Sequence, residues 1–440
     1  MVKQQHEFCD PIHSFVRVDS DERTVIDSKP VQRLRHIHQL ATAYLVYPGA
    51  THRRFEHSLG TMELAGRVYD VVTSPSAMRG EVRELCPEVG NEQERLYWRR
   101  VIRLAALCHD IGHLPFSHAA EKDLLPDGWD HERFSRELIV EKLSGLLGSM
   151  RPPVDAQHVA KIAVGPKKAR DLSYSPWERI LSEIIVGDAF GVDRMDYLLR
   201  DSLHAGVAYG SFGHHRLIDT LRILLLPTDE SGGGSPALGV EQGGLQSAEA
   251  LLMARYFMYS QVYFHRVRMI YDIHLIDFLA EWLPDNGEFP TDLDKHLSLT
   301  DNEIMAGILK ASLSPSYPGY RWARRLVGRE HFRVLYSRNY RDMEHHPDPA
   351  QAVYQAVSQA FGADSARIAR HRDRGGKLEF PVLKDDNNVV VSLTESEVLS
   401  KLPAIAIDHV YVDTAILQEA KKWLNENLAG VLDSEIEEES

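Results

Sequence analysis

Residues 103–118, RLAALCHDIGHLPFSH, crowd His109, Asp110, His113 and His118 into ten positions at the end of an apolar run. The run has helical spacing and should end at the His109–Asp110 doublet, because Gly112 and Pro115 break it just beyond. A neutral imidazole beside a carboxylate suits a divalent transition metal, yet two ligands are too few to hold one. HRRFEHSLG (52–60) offers His57 just before a helical run, and GVDRMDYLLRD (191–201) offers Asp193 at another expected helix. His57, His109, Asp110 and Asp193 together make a His2Asp2 set at expected helix boundaries. Such a set accepts Mn, Fe, Zn, Ni or Co, with Mg also open, and does not choose among them.

A divalent ion acidifies water and polarises a phosphoryl oxygen, which is the chemistry of phosphoester hydrolysis near neutral pH. A departing alkoxide then needs a proton, and His113, Glu121 and His131 are the candidates, the last in GWDHERFS (128–135). For His131 the alternative is a helix-start residue making a capping contact. Phosphates call for fixed cationic forks, and Arg54, three residues before His57, supplies a planar one. Arg255, Tyr259 and Tyr263 fall at successive turns of an otherwise apolar helix and form a polar stripe.

These residues need helices to position them. Apolar residues recur at spacings of three and four in VQRLRHIHQL (31–40), RRVIRLAALC (99–108), ERFSRELIVEKLSGLL (132–147) and AEALLMARYFMYSQVYF (248–264), so most of the first 285 residues reads as helix. PTDESGGGSPALGVEQGGLQ (227–246) should hold a short hairpin or an exposed loop. After about residue 330 the texture changes, and HFRVLYSR, KLEFPVL and NNVVVSL read as short strands. The expected fold class is mainly α, with a small α/β appendage at the carboxyl end.

Composition sets the outer bounds. The chain has 440 residues, with 50 Lys plus Arg against 64 Asp plus Glu for a formal charge of −14, so a long-range field that gathers nucleic acid is not expected. Nucleic acid stays an open but unfavoured partner. Cys9, Cys86 and Cys108 are odd in number and scattered, which suits a reducing compartment. No apolar stretch reaches the length of a membrane span, and the start lacks an apolar leader; the expected location is cytoplasmic.

VQRLRHIHQL, YPGATHRRFEHSLG, LCHDIGHLPFSH, DRMDYLLRD and RYFMYSQVYFH, between DPIHSFV (10–16) and YFHRVR (263–268), resemble the HD-domain phosphohydrolase superfamily. More closely, they are similar to its deoxynucleoside triphosphate triphosphohydrolases. The resemblance implies an HD-type domain over 1–285 (core about 50–200), a mixed α/β region over 286–432 and an acidic tail at 433–440. It implies His131 as general acid to the 5′-oxygen, with His113 and Glu121 tuning it. It further implies a substrate site of Arg54, Arg194, Tyr197, Asp201, Arg255 and Tyr263, with Gln39 and Leu40 at the sugar, Tyr259 nearby and His118 either on a phosphate or supporting a neighbouring site residue. Leu40 or Tyr263 near the ribose 2′ position would exclude a hydroxyl. Base preference does not carry over, because Phe264 and Tyr259 replace the Gln and His of human-type members. Asp27, Gln32 and Arg35 match positions that read a guanine nucleotide (dGTP or GTP) between subunits in those members, although Cys9 replaces an Asn there; Asp27 would equally suit a helix start. The implied partners are a dNTP and further copies of the chain, as dimer or tetramer, in dNTP pool control or antiphage defence. Two rival functions stand beside this one: an HD phosphohydrolase acting on another nucleotide or a nucleic-acid end, and a non-catalytic nucleotide sensor or single-stranded nucleic-acid binder.

Overall fold

The computed structural model describes residues 5–119, 121–226, 235–372 and 378–433, with the side chains of residues 285 and 286 excepted. The expected acidic tail therefore falls outside the described residues beyond Asp433, as do 227–234 of the Gly-rich stretch. The fold is mainly α with a few small sheets. Its described residues form two compact units, one within Met1–Met258, Phe289–Ile304 and Gly376–Leu402, the other within Tyr259–Glu288, Met305–Gly375 and Pro403–Ser440.

The first unit opens with a hairpin, β1 (Gln5–Asp10) and β2 (Ser14–Asp19), whose pairing runs from Gln5 opposite Asp19 to Asp10 opposite Ser14. Asp10 shapes the turn by accepting the backbone N–H groups of Ile12 and His13 on one carboxylate oxygen. Two short helices follow, α1 (Ser20–Ile26) and α2 (Lys29–Arg33). The helix start expected at Asp27 is not there: Asp27 closes α1, and Ser28 precedes α2 with Pro30 in its first turn. VQRLRHIHQL does not continue as helix either, because Leu34–His36 tightens into a 3-10 turn and Ile37 is extended. Tertiary partners decide this, since the Arg33 guanidinium donates to the carbonyls of Leu299 and His113, and His38 to the Asp301 carboxylate.

Four longer helices carry the site: α3 (Arg54–Val72), α4 (Glu92–Cys108), α5 (His131–Leu138) and α6 (Val192–Ala205). In the last turns of α4, Val101, Ile102, Leu104, Ala105 and Leu107 are fully buried and the one charged residue, Arg103, is buried in a pair with Glu22, so its carboxyl end is driven to the interior. Gly60 of α3 allows α6 to approach, since a Cβ there would lie 2.0 Å from an Asp196 oxygen. Gly112 does the same for the start of α5, where a Cβ would lie 2.2 Å from the His131 carbonyl oxygen. The 227–246 stretch contains the return strand of a hairpin, β3 (Leu221–Leu225) with β4 (Pro236–Glu241). The sheet continues through β7 (Pro381–Leu383), parallel to β4, to β8 (Val389–Val391), so KLEFPVL and NNVVVSL complete a sheet of the first unit.

The second unit holds a three-stranded antiparallel sheet of β5 (Arg333–Ser337), β9 (Ala406–Val412) and β6 (Ala366–Arg372), in the order β5-β9-β6. Val353, Val357, Val410 and Val412 are fully buried in its core. No described helix of the chain is long and apolar enough to cross a membrane.

Candidate metal centre

His57 sits in the first turns of α3, His109 caps the carboxyl end of α4, Asp110 follows it, and Asp193 lies in the first turn of α6. Three separate helix ends thus deliver the four residues to one place. His57 Nε2 lies 3.1 Å from Asp193 Oδ1 and 3.6 Å from Asp110 Oδ2; His109 Nε2 lies 3.2 Å from Asp110 Oδ1 and 3.5 Å from Asp193 Oδ1. Both Nε2 atoms are buried and lack a hydrogen bond of good geometry. Their other nitrogens are occupied: His109 Nδ1 meets the Ala106 carbonyl oxygen at 2.7 Å, and His57 Nδ1 meets Asp196 Oδ2 at 2.8 Å. With Nδ1 engaged, each ring turns its Nε2 toward the two carboxylates. Two buried orphan nitrogens facing two carboxylates fit a divalent ion, and His57, His109 and Asp110 bring their donor atoms within 4.8 Å of one another.

The electrostatics agree. Burial alone would lower the His57 pKa, but the carboxylates of Asp193, Asp196 and Asp110 raise it to about 10. Burial would raise that of Asp110, yet Arg54 and the imidazoles of His109 and His113 hold it well below the usual carboxylate range. A cluster that retains a proton this strongly is a cluster that attracts cations.

Beside the centre, His113 Nε2 contacts Asp110 Oδ1 at 3.2 Å, and its ring stacks on His131 with centroids 3.9 Å apart. Glu121 accepts from the backbone N–H of His131 at 2.9 Å and faces its Nδ1 at 2.7 Å. Burial opposes protonation of His131, but Glu121, together with Glu132, raises its pKa above the ordinary imidazole value. His113 is instead pushed well down by burial, Arg54 and His131. The cap of α5 is Asp130, whose side chain accepts from Arg133, so His131 does not serve as the cap. Arg54 pairs with Asp110 and donates to Ser117 Oγ.

The remaining sequence-derived residues scatter more. Gln39 and Leu40 are buried, and among the described residues Gln39 Oε1 has no hydrogen-bond partner. His118 is mostly exposed and faces Glu121 at 3.1 Å. Arg194 donates to the Gly187 carbonyl at 2.6 Å; Tyr197 shares its helix, and Asp201 is buried against His52 at 2.7 Å. Arg255 belongs to the first unit, in α7 (Leu245–Met258), whereas Tyr259 and Tyr263 belong to the second, in a π-helical turn with their rings edge-on at 5.0 Å. Asp27 pairs with Arg23, and Arg35 donates to Gln32 and lies over the Phe55 ring.

Sequence reasoning missed the supports. Asp196, fully buried, receives His57, His13 and the Arg200 guanidinium, while Arg200 also pairs with Asp10 at the hairpin turn. The Asp196–Arg200 spacing of four residues was a visible helical pair; its contact with His57 was not. Asp301 accepts the backbone N–H of Phe116 at 2.7 Å, steadying Phe116 and Ser117, whose φ angles of 56° and 58° are left-handed. Asp196→Asn keeps the shape but weakens the acceptor that orients His57, and we expect divalent-metal affinity to fall about 10- to 100-fold in competition with a chelator. Unchanged affinity would remove Asp196 from this role.

Residues 54–164 match the HD domain family and residues 213–371 the HD associated region. A crystal structure of a hypothetical protein from Aquifex aeolicus superposes with a TM-score of 0.77 at 32% identity, covering 96% of this chain and 100% of that one. An uncharacterised protein of Methanocaldococcus jannaschii is 36% identical over 60% of this chain and 47% of its own length, and one of Bacillus subtilis 33% identical over 65% and 58%. The deoxynucleoside triphosphate triphosphohydrolase SAMHD1 of Danio rerio is 32% identical over 49% of this chain and 36% of its own length. The chain thus spans about half the length of the first curated relatives it matches. Helix ends converging on buried His and Asp side chains make a centre whose donor set suits a divalent metal ion. The chain belongs to the HD-domain family.

Proposed function

We propose that the protein is a dNTP triphosphohydrolase, converting a dNTP and water to a deoxynucleoside and inorganic triphosphate. The observation that supports this best is a proton donor, His131 raised by Glu121, joined through His113 to the Asp110 of the metal centre. The activity named for the SAMHD1 relatives points the same way.

A bound divalent ion supplies Lewis-acid polarisation of a phosphate and makes water acidic enough to attack near neutral pH. Arg54 is held by Ser117 and Asp110 and presents a fixed cation to the phosphates. Arg194, Tyr197, Asp201 and Arg255 are the further substrate contacts in this reading, with His118 on a phosphate. Gln39, whose buried Oε1 lacks a partner, takes the sugar hydroxyl beside Leu40. His131 gives its proton to the 5′-oxygen, and Glu121 keeps the imidazole charged and oriented until then. The chain works in the cytoplasm as a dimer or tetramer, in dNTP pool control or defence.

Incubation with each dNTP and NTP, with Mn or Mg, and chromatography of the products tests this. Deoxynucleoside with intact triphosphate is the expected result; turnover of ribonucleotides alone, or of none, overturns it.

Regulation at Asp27, Gln32 and Arg35 belongs to the same proposal, since Arg35 and Gln32 already form one hydrogen-bonded pair that could extend to a base. We expect dGTP or GTP to stimulate hydrolysis of a second dNTP, and Asp27→Ala to abolish the stimulation while basal turnover persists. Equal rates with and without effector would leave those residues a structural role only.

A further inference from the structure

A second group of ligand-type atoms stands beside the metal centre. His113, His118, Glu121 and His131 each offer a donor atom, and the four lie within 4.8 Å of one another. Tetrahedral ligands on one zinc ion lie about 3.3–3.5 Å apart, so the set closes on an ion by side-chain rotation that also turns the stacked His113 and His131 rings toward it. The residues come from four consecutive local structures: the turn after the doublet, the 3-10 turn Ser117–Ala119, the short helix Glu121–Leu124 and the start of α5.

The internal contacts do not satisfy the group. Glu121 divides its oxygens between His118 Nδ1 at 3.1 Å and His131 Nδ1 at 2.7 Å. His113 is 1% exposed, and among the described residues its Nδ1 has no hydrogen-bond partner. Its ring stacks on His131 and meets His118 edge-on at 4.6 Å, so the three imidazoles stand against one another. The His118 side chain is 61% exposed and gives an ion a way in from solvent.

We propose that His113, His118, Glu121 and His131 form a second divalent-cation site, selective for zinc-like ions and inhibitory when filled. Three imidazoles and one carboxylate suit Zn, Co or Ni, whereas Mg demands an octahedron of oxygens. Filling the site takes Glu121 and His131 into coordination and stops proton delivery. Only this inhibitory consequence rests on the function proposed above; the binding does not.

The test uses the full chain stripped with a chelator and titrated with Zn by calorimetry, with bound metal counted after desalting. The expected stoichiometry is two ions per chain in the wild type, one in Asp110→Ala and one in the double variant His118→Ala, His131→Ala. Co in Asp110→Ala should give a visible tetrahedral absorption that His131→Gln removes. Micromolar Zn added to Mn-loaded protein should lower turnover reversibly, and the exposed substitution His118→Gln should raise the required Zn at least tenfold. One ion per chain in the wild type, none in Asp110→Ala, or two in the double variant would overturn the site. Two ions with no dNTP turnover would sink the proposed function and leave the site standing. Circular dichroism confirms folding of each variant.

Discussion

Asp110→Ala should lose tightly bound divalent metal and hydrolytic activity together, to below one part in a thousand of wild-type turnover, while the helical fold persists. Asp110 is a proposed anionic ligand, lying 3.2 Å from His109 and 3.6 Å from His57, and it is the partner of Arg54. Its removal leaves a single carboxylate, Asp193, facing the two imidazoles, so the His2Asp2 set loses one of its four donors and one of its two negative charges, and its hold on a divalent ion weakens. Truncation also leaves Arg54, 3% exposed, without that carboxylate, and breaking a buried ion pair from one side typically costs about 3–5 kcal/mol. Asp110→Asn separates the two effects. It fills the same volume and still accepts from Arg54, so its melting temperature should fall less, while metal and activity should be lost as in the alanine variant. Metal content by mass spectrometry, circular dichroism and product chromatography read the three quantities. Full turnover in a metal-free, folded Asp110→Ala protein would sink the assignment of the centre.

His131→Ala should lower kcat by about 10² to 10⁴, the usual contribution of a positioned acid, with little change in substrate binding. Glu121 holds the imidazole through both its backbone N–H and Nδ1, and raises its pKa against the effect of burial. The acid must carry its proton to act, so turnover should fall as pH rises through that raised pKa. Glu121→Gln removes the carboxylate that raises it, and the alkaline limb of the pH profile should then move to lower pH. A merely structural role for Glu121 would change stability and leave the limb where it was. In 18O-labelled water the label should enter triphosphate and not the nucleoside, because the bond that breaks lies between the α-phosphorus and the 5′-oxygen. Initial release of dNMP with pyrophosphate, or of dNDP with phosphate, would refute both the pose and the role of His131, and would leave the metal centre intact.

The sequence by itself determined the helical class and the ligand types. Apolar spacing in RRVIRLAALC marks a helix that ends at the doublet, and the structure ends it at Cys108 for the same reason: its apolar carboxyl-terminal turn enters a core, and Gly112 and Pro115 do not continue the helix. His57, His109, Asp110 and Asp193 were legible because few residue types bind metals and each lies near a helix end.

Tertiary structure alone decided which groups turn ligands into a site. Asp196, Asp10 and His13 look like ordinary polar residues in the sequence; only the approach of α3 and α6 at Gly60 brings Asp196 to His57 Nδ1 and sets its tautomer. Asp301 lies 185 residues from Phe116 and still supports the left-handed turn there, a contact no local periodicity reports. Arg33 overrode the helical pattern of VQRLRHIHQL by reaching two distant carbonyls. KLEFPVL and NNVVVSL were readable as strands, but strand pairing is set by register across long loops, and they joined β4 of the first unit, outside the sheet of β5, β9 and β6. Local propensity acts over a few residues, whereas a buried charge needs a partner wherever the chain can supply one. Residues chosen by the first rule are visible in a sequence, and residues chosen by the second appear only when the chain has folded.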